Sequence, residues 1–146
     1  MFTPMTLKCI QDSPVGPEDN LEVDGQNISE VIIVGRAIAR SEEQMRVQFE
    51  VNDGTATFKV IFYQKDANTV PAALKGFEYK PQAYVKVFGN VRVYKEEKAI
   101  VGTFIKRITD FKEMTNHFLN VFVCQQIRQQ GILTAKELGG GKAGDK

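Results

Sequence analysis

The chain has 146 residues, 42% of them hydrophobic and 25% charged, which is the size and mixture of one domain around a single core. No run of 18 or more apolar residues occurs, and the opening "MFTPMTLKCIQD" has no basic segment leading into an apolar one, so neither a membrane span nor a secretory signal is expected and the chain is placed inside the cell. A net charge of +1 excludes a generally basic nucleic-acid protein, yet it averages two unlike regions: one Lys against six acids over residues 1–30, and ten Lys or Arg against four acids over residues 55–108.

Short alternating runs separated by turn signals predict an all-β barrel or sandwich up to residue 108. "TPMTLKCI" is expected as the opening strand, followed by the loop "QDSPVGPEDN". "VIIVGRAIAR" is the next strand, and Gly35 within its apolar run predicts a bulge or sharp bend. "QMRVQFEVN" then alternates, sending Met45, Val47, Phe49 and Val51 inward and Arg46, Gln48 and Glu50 outward. Asp53-Gly54 is the favoured two-residue hairpin turn. From it Ala56, Phe58, Val60 and Phe62 point inward, and Thr55, Thr57, Lys59, Ile61 and Tyr63 outward.

"KDANTVPAALKGFEYKPQ" breaks the rhythm, with a short helical turn expected around residues 72–75. "AYVKVFGNVRVYKEEKAIVGTFIKRI" reads as two strands joined by a charged turn at 95–98. Val85, Val87, Val91 and Val93 share one face and Lys86, Phe88, Arg92 and Tyr94 the other, provided Gly89 does not shift the register. The period changes at Asp110, a capping residue with Glu113 three positions on, and a single helix is expected over 110–131, stopping at Gly131. The glycine-rich remainder, 132–146, is expected to be a flexible tail after a barrel spanning 1–109.

Two features call for explanation. Tyr63 and Tyr94 lie on the solvent side of their strands among cations, Lys59 with the first and Lys86 and Arg92 with the second, and the outward Arg46 joins the same candidate set. Aromatic platforms interleaved with cations suit the base faces and phosphate row of a single nucleic-acid strand. An exposed tyrosine also serves a strand by covering neighbouring apolar atoms, and the spacing leaves both roles open. The second feature is the helix. Phe118, Leu119, Val121, Phe122, Val123 and Cys124 project around nearly its whole circumference, and Phe111, Met114 and Ile127 extend that apolar surface. One barrel covers only one side of such a helix, so the rest predicts a partner surface, unless the helix plugs the mouth of its own barrel.

No phosphate-binding glycine loop, nucleophile elbow or metal-ligand spacing is present, so no enzymatic activity, cofactor or metal is expected. Cys9 and Cys124 have no ligand spacing and are expected as reduced, partly buried thiols; His117 is expected on the helix surface or in a bundle.

Five strands, a bulged first strand and a helical insertion before the fourth fit an OB-fold Greek-key barrel followed by one long helix. "VNDGTATFKVIFYQKD", "YVKVFGNVR" and the helix opening "DFKEMTNHFLNVF" resemble the middle subunit of replication protein A, over about residues 4–130. The resemblance implies a nuclear subunit of a heterotrimer that binds single-stranded DNA in replication, repair and telomere maintenance. By it, Tyr63 and Tyr94 fall at stacking positions, and the helix joins those of a large and a small OB-fold subunit. Telomere-dedicated trimers and the middle subunit of the CST complex share this plan, with a telomeric strand as ligand or with a mainly structural, adaptor role. The first stacking position is often a tryptophan in that family, and Tyr63 offers a smaller ring. Members commonly carry a Ser/Gly-rich phosphorylatable arm before the barrel and a winged-helix domain after it, neither of which is within these 146 residues.

Overall fold

Alternation in the sequence becomes a closed ring of strands. The structure, a computed structural model, describes residues 2–66 and 68–140. In chain order the elements are β1 (Thr3–Pro4), α1 (Leu7–Asp12), the hairpin β2 (Leu21–Val23) and β3 (Gln26–Ile28), β4 (Glu30–Glu43), β5 (Arg46–Asn52), β6 (Thr57–Tyr63), β7 (Tyr84–Tyr94), β8 (Glu97–Arg107) and α2 (Phe111–Gly140). β4 pairs with β5, β5 with β6, β6 with β8, β8 with β7, and β7 again with β4, which closes a five-stranded barrel. Only the β6–β8 contact within this ring is parallel.

The expected inward residues fill the barrel. Val47, Phe49, Val51, Phe58, Val60, Phe62, Val85, Val87 and Val91 are buried with Ile100 and Ile105 of β8. Phe49 meets Phe62 and Phe77 edge-on at 5.9 Å, and each buried ring of this size contributes roughly 1.5–3 kcal/mol. Met45 departs from its expected inward position: it sits in the β4–β5 turn with φ 61° and is 40% exposed. Ile61, expected outward, is buried.

At Gly35 β4 runs on without a bulge, and glycine is needed there for close approach to β5: a Cβ would lie 2.7 Å from Val51 Cγ1 and 2.8 Å from the Asn52 carbonyl. The bulge itself falls two residues later, between Ala37 and Ala39. At Gly89 the register does shift, and the additional residue is on β8: Phe88 pairs with Phe104 but Gly89 with Gly102, leaving Thr103 over. β7 therefore keeps its parity while β8 changes its own, turning Phe104 outward.

The N-terminal segment differs from the expected strand. Only Thr3–Pro4 pairs with β4, and "LKCIQD" is helix α1, whose Leu7 and Ile10 are fully buried and close one end of the barrel. Its start is capped twice. Thr6 Oγ1 accepts from Cys9 N–H at 3.2 Å, and Asp53 Oδ2 accepts from Leu7 N–H at 2.8 Å. Asp53-Gly54 thus opens a four-residue loop that caps a distant helix, with Asn52 paired to Thr57, instead of a two-residue turn. Two-residue turns with both φ values positive occur at Asp24-Gly25 and at Lys95-Glu96. The Lys98 ammonium closes the other end of α1 by donating to the carbonyls of Ile10, Gln11 and Ser13. The helical turn expected near 72–75 is a 3-10 turn, Ala72–Leu74, with Leu74 buried.

α2 starts where expected: Asp110 Oδ1 accepts from Lys112 N–H at 2.9 Å. Glu113 turns away from that cap to pair with Lys106 at 2.9 Å. Helical backbone continues past Gly131 to Gly140, beyond the expected stop; an interior glycine costs only about 1 kcal/mol, and Ile132, Leu133, Ala135, Lys136 and Glu137 after it are helix-compatible. Of the expected tail, residues 141–146 lie outside the described residues.

Candidate nucleic-acid interface and assembly helix

Tyr63 ends β6 and is 57% exposed; Tyr94 ends β7 and is 73% exposed. The register sets their separation. Val60 lies beside Ile100 and Tyr94 beside Glu97, so Tyr94 stands about six residues, or about 20 Å, from Tyr63 along the strand direction, with β8 between them. They form the two ends of a strip and not one platform.

The cations sort accordingly. Arg46 faces Tyr63 across the β5–β6 ladder, but its Nε donates to Glu43 at 3.0 Å, and that hydrogen bond is the chief reason the guanidinium pKa is raised further. Lys59 is exposed and lies opposite Glu50. Arg92 is exposed two residues before Tyr94 on the same side of β7. Lys86 is elsewhere: it lies eight positions from Tyr94, its ammonium 5.5 Å from the Phe88 ring, in a cluster where Phe88 also meets Phe2 and Phe104. Lys95, not singled out in the sequence, holds its ammonium 5.4 Å from the Tyr94 ring. Its signal was the charged turn, which carries an aromatic at its entrance. The cleft beside Tyr94, about 970 Å³, brings Lys59, Lys95 and Lys98 together with Asp19, Glu50, Glu96 and Glu97. Acids there outnumber cations.

The helix reverses the usual distribution of polarity. Its barrel-facing stripe is Met114, His117, Val121, Cys124 and Arg128, with His117 4% and Arg128 8% exposed. Arg128 Nε donates to Asp24 at 3.3 Å, which ties α2 to the β2–β3 turn. His117 packs its ring edge-on against Phe118 and finds no hydrogen-bond partner for Nε2 among the described residues. Burial, and secondarily the Lys86 charge, pushes its pKa down to about 4. So His117 is a buried interface residue of this chain's own helix and not a surface histidine.

Phe111, Phe118, Leu119, Phe122, Val123 and Ile127 are all exposed, from 37% at Phe118 to 76% at Phe111. At 100° per residue they are centred about 150° from the buried stripe, with Phe118 nearest the barrel, where it lines the same cleft as Met114. Met114 and Val121, predicted with them as partner-binding residues, lie on the barrel side; Met114 lines a small cleft with Val34 and Gly35. Cys9 and Cys124 are free, half-buried thiols. Among the described residues no helix is long and apolar enough to cross a membrane, and no cluster of three metal-ligating side chains occurs.

A five-stranded ring in this order, with the β6–β8 pair parallel and a long helix after the last strand, is an OB-fold with a C-terminal helix. The proteins it is similar to are the middle, 32 kDa subunits of replication protein A. The chain is 29% identical to a replication protein A 32 kDa subunit of Arabidopsis thaliana over 119 residues, covering 79% of this chain and 40% of that one. It is also 29% identical to replication factor A protein 2 of Saccharomyces cerevisiae over 138 residues, covering 86% and 50%. The chain thus spans 40–50% of the length of these relatives. No family model matches. Among solved structures, yeast replication protein A bound to single-stranded DNA superimposes with a TM-score of 0.66 at 28% identity, over 85% of this chain and 89% of that one. The Schizosaccharomyces pombe Stn1–Ten1 complex gives a TM-score of 0.76 at 16% identity, over 90% and 98%, which is a likeness of fold.

Proposed function

We propose that this chain is the middle subunit of a replication protein A type heterotrimer, a nuclear, non-enzymatic protein that binds single-stranded DNA in replication, repair and telomere maintenance. A barrel over residues 1–109 meets the strand through Tyr63 and Tyr94 with Arg46, Lys59 and Arg92, and the helix from residue 110 joins a large and a small OB-fold subunit. The observation that carries this reading is the solvent-facing apolar stripe of α2, whose polar side is spent on its own barrel. Burying four of those side chains between helices contributes about 6–12 kcal/mol before ordering costs. The relatives are subunits of replication protein A, and one similar structure is bound to single-stranded DNA.

DNA affinity of the single domain is modest in this reading, because only a few nucleotides are engaged, and tethering to further OB-folds makes later contacts intramolecular. The acid-rich cleft beside Tyr94 favours a second reading, in which the subunit is chiefly an adaptor of a telomere-dedicated or CST-like trimer. The two separate in the assembled trimer carrying Tyr63→Ala with Tyr94→Ala. A loss of oligothymidylate affinity of at least tenfold supports the DNA-binding subunit, and unchanged affinity and footprint support the adaptor.

A further inference from the structure

The register that places Tyr63 also shows what borders it. β6 accompanies β8 through the pairs Val60–Ile100 and Ile61–Val101, after which the 3-10 turn Ala72–Leu74 takes its place against β8. There the extra residue Thr103 has turned Phe104 to the outside. Phe104 is 48% exposed, and Phe88 supports it edge-on at 5.8 Å. It opens onto a groove of about 580 Å³ whose charged walls are Lys75, Lys106, Arg107 and one acid, Glu78. Lys106 is paired with Glu113, and Glu78 lies 3.9 Å from the Lys80 ammonium. The side chains of Lys75 and Arg107 engage no described residue.

We propose that a nucleic-acid strand seated at Tyr63 continues across β8, stacks one base on Phe104 and lays its phosphates along Lys75 and Arg107. This inference rests on the single-strand reading above and extends it to a surface with three cations to one acid, where the Tyr94 cleft has three cations to four acids. Phosphates gain from displaced counterions only where positive charge is uncompensated, so the backbone is favoured in the Phe104 groove over the acid-lined cleft. Tyr63 lies two residues beyond the last β6–β8 pair, Ile61–Val101, and Phe104 three residues beyond it on β8, so both rings leave the same end of that pairing. Half-exposed rings on neighbouring strands offer consecutive stacking surfaces. An acidic peptide would satisfy the cations but would leave the two rings without a role.

The test is an amide NMR titration of the purified chain with oligothymidylates of 5 and 12 nucleotides, alongside Lys75→Ala with Arg107→Ala, and separately Phe104→Ala. The expected result is that the 12-mer shifts the amides of Lys75, Phe104 and Arg107 as well as Tyr63, while the 5-mer shifts the Tyr63 strip alone. The charge variant should bind the 12-mer about tenfold more weakly, with a salt slope smaller by about 1.4, and bind the 5-mer unchanged. Phe104→Ala should weaken the 12-mer by about tenfold, and the charge variant, altered only at exposed groups, keeps the test valid if Phe104→Ala loosens the fold. Shifts at Tyr63 without shifts in the groove overturn this inference alone. No shift at Tyr63 with either oligonucleotide overturns the single-strand reading itself. Groove shifts produced by polyglutamate and not by the 12-mer would assign the groove to an acidic protein segment and also overturn the inference.

Discussion

The two sides of α2 make unlike contacts. Toward the barrel the helix presents His117 and Arg128, held by burial and by one ion pair to Asp24; toward solvent it presents Phe111, Phe118, Leu119, Phe122, Val123 and Ile127. An isolated domain would place those apolar groups inward. Met114, Val121 and Cys124 accompany His117 and Arg128 on the barrel side, and the larger exposed apolar area faces away from the barrel. Tyr63 and Tyr94 on the barrel, by contrast, are separate rings among partly compensated charges. In the proposed assembly the association energy is concentrated in the helix and the ligand energy is spread thinly over the barrel.

Breaking the outer stripe should have the largest effect. In the assembled trimer, Phe118→Ala or Phe122→Ala should each cost about 2–4 kcal/mol of association free energy, measured by equilibrium sedimentation, whereas Val121→Ala on the barrel side should cost much less. The inner side should respond to acid. Neutral His117 is the favoured folded form, so its contribution to stability is complete above the unfolded pKa of 6.5 and is lost as pH falls toward about 4. The loss approaches about 3 kcal/mol, and urea midpoints of His117→Gln should fall less between pH 6.5 and 5 than those of the parent chain. On the barrel, Tyr63→Ala and Tyr94→Ala should each weaken oligothymidylate binding by about tenfold without altering association, as read by fluorescence anisotropy of the trimer. The smallest effect belongs to the turn. Lys95→Asn with Glu96→Gly relieves two left-handed residues and should raise stability by about 1 kcal/mol in thermal unfolding, while removing Lys95 from the Tyr94 ring.

Much of this was legible in the sequence because alternation fixes which side chains share a face. Phe58, Val60 and Phe62 fall inside and Lys59 and Tyr63 outside, as the period of two requires. The apolar excess on the helix was legible too, but not its phase: Met114 and Val121 are indistinguishable from Phe118 and Phe122 until the barrel-facing stripe is known. Turn chemistry misled at Asp53-Gly54, where the aspartate is needed to cap α1 across 46 residues, a long-range demand that no local rule contains. The same dipeptide at Asp24-Gly25 does form the two-residue turn, and Lys95-Glu96 forms one without its usual residues. The Phe104 surface was hidden for a related reason. A single extra residue at Thr103 reverses the parity of β8, and parity read from β8 alone carries no trace of a partner's register.

The most direct test of the division between helix and barrel is quantitative co-purification from the native source with two variants, Phe118→Asp plus Phe122→Asp and Tyr63→Ala plus Tyr94→Ala. The account predicts that the helix variant loses both OB-fold companions while the tyrosine variant retains them at parental stoichiometry. Retention of both companions by the helix variant would contradict it.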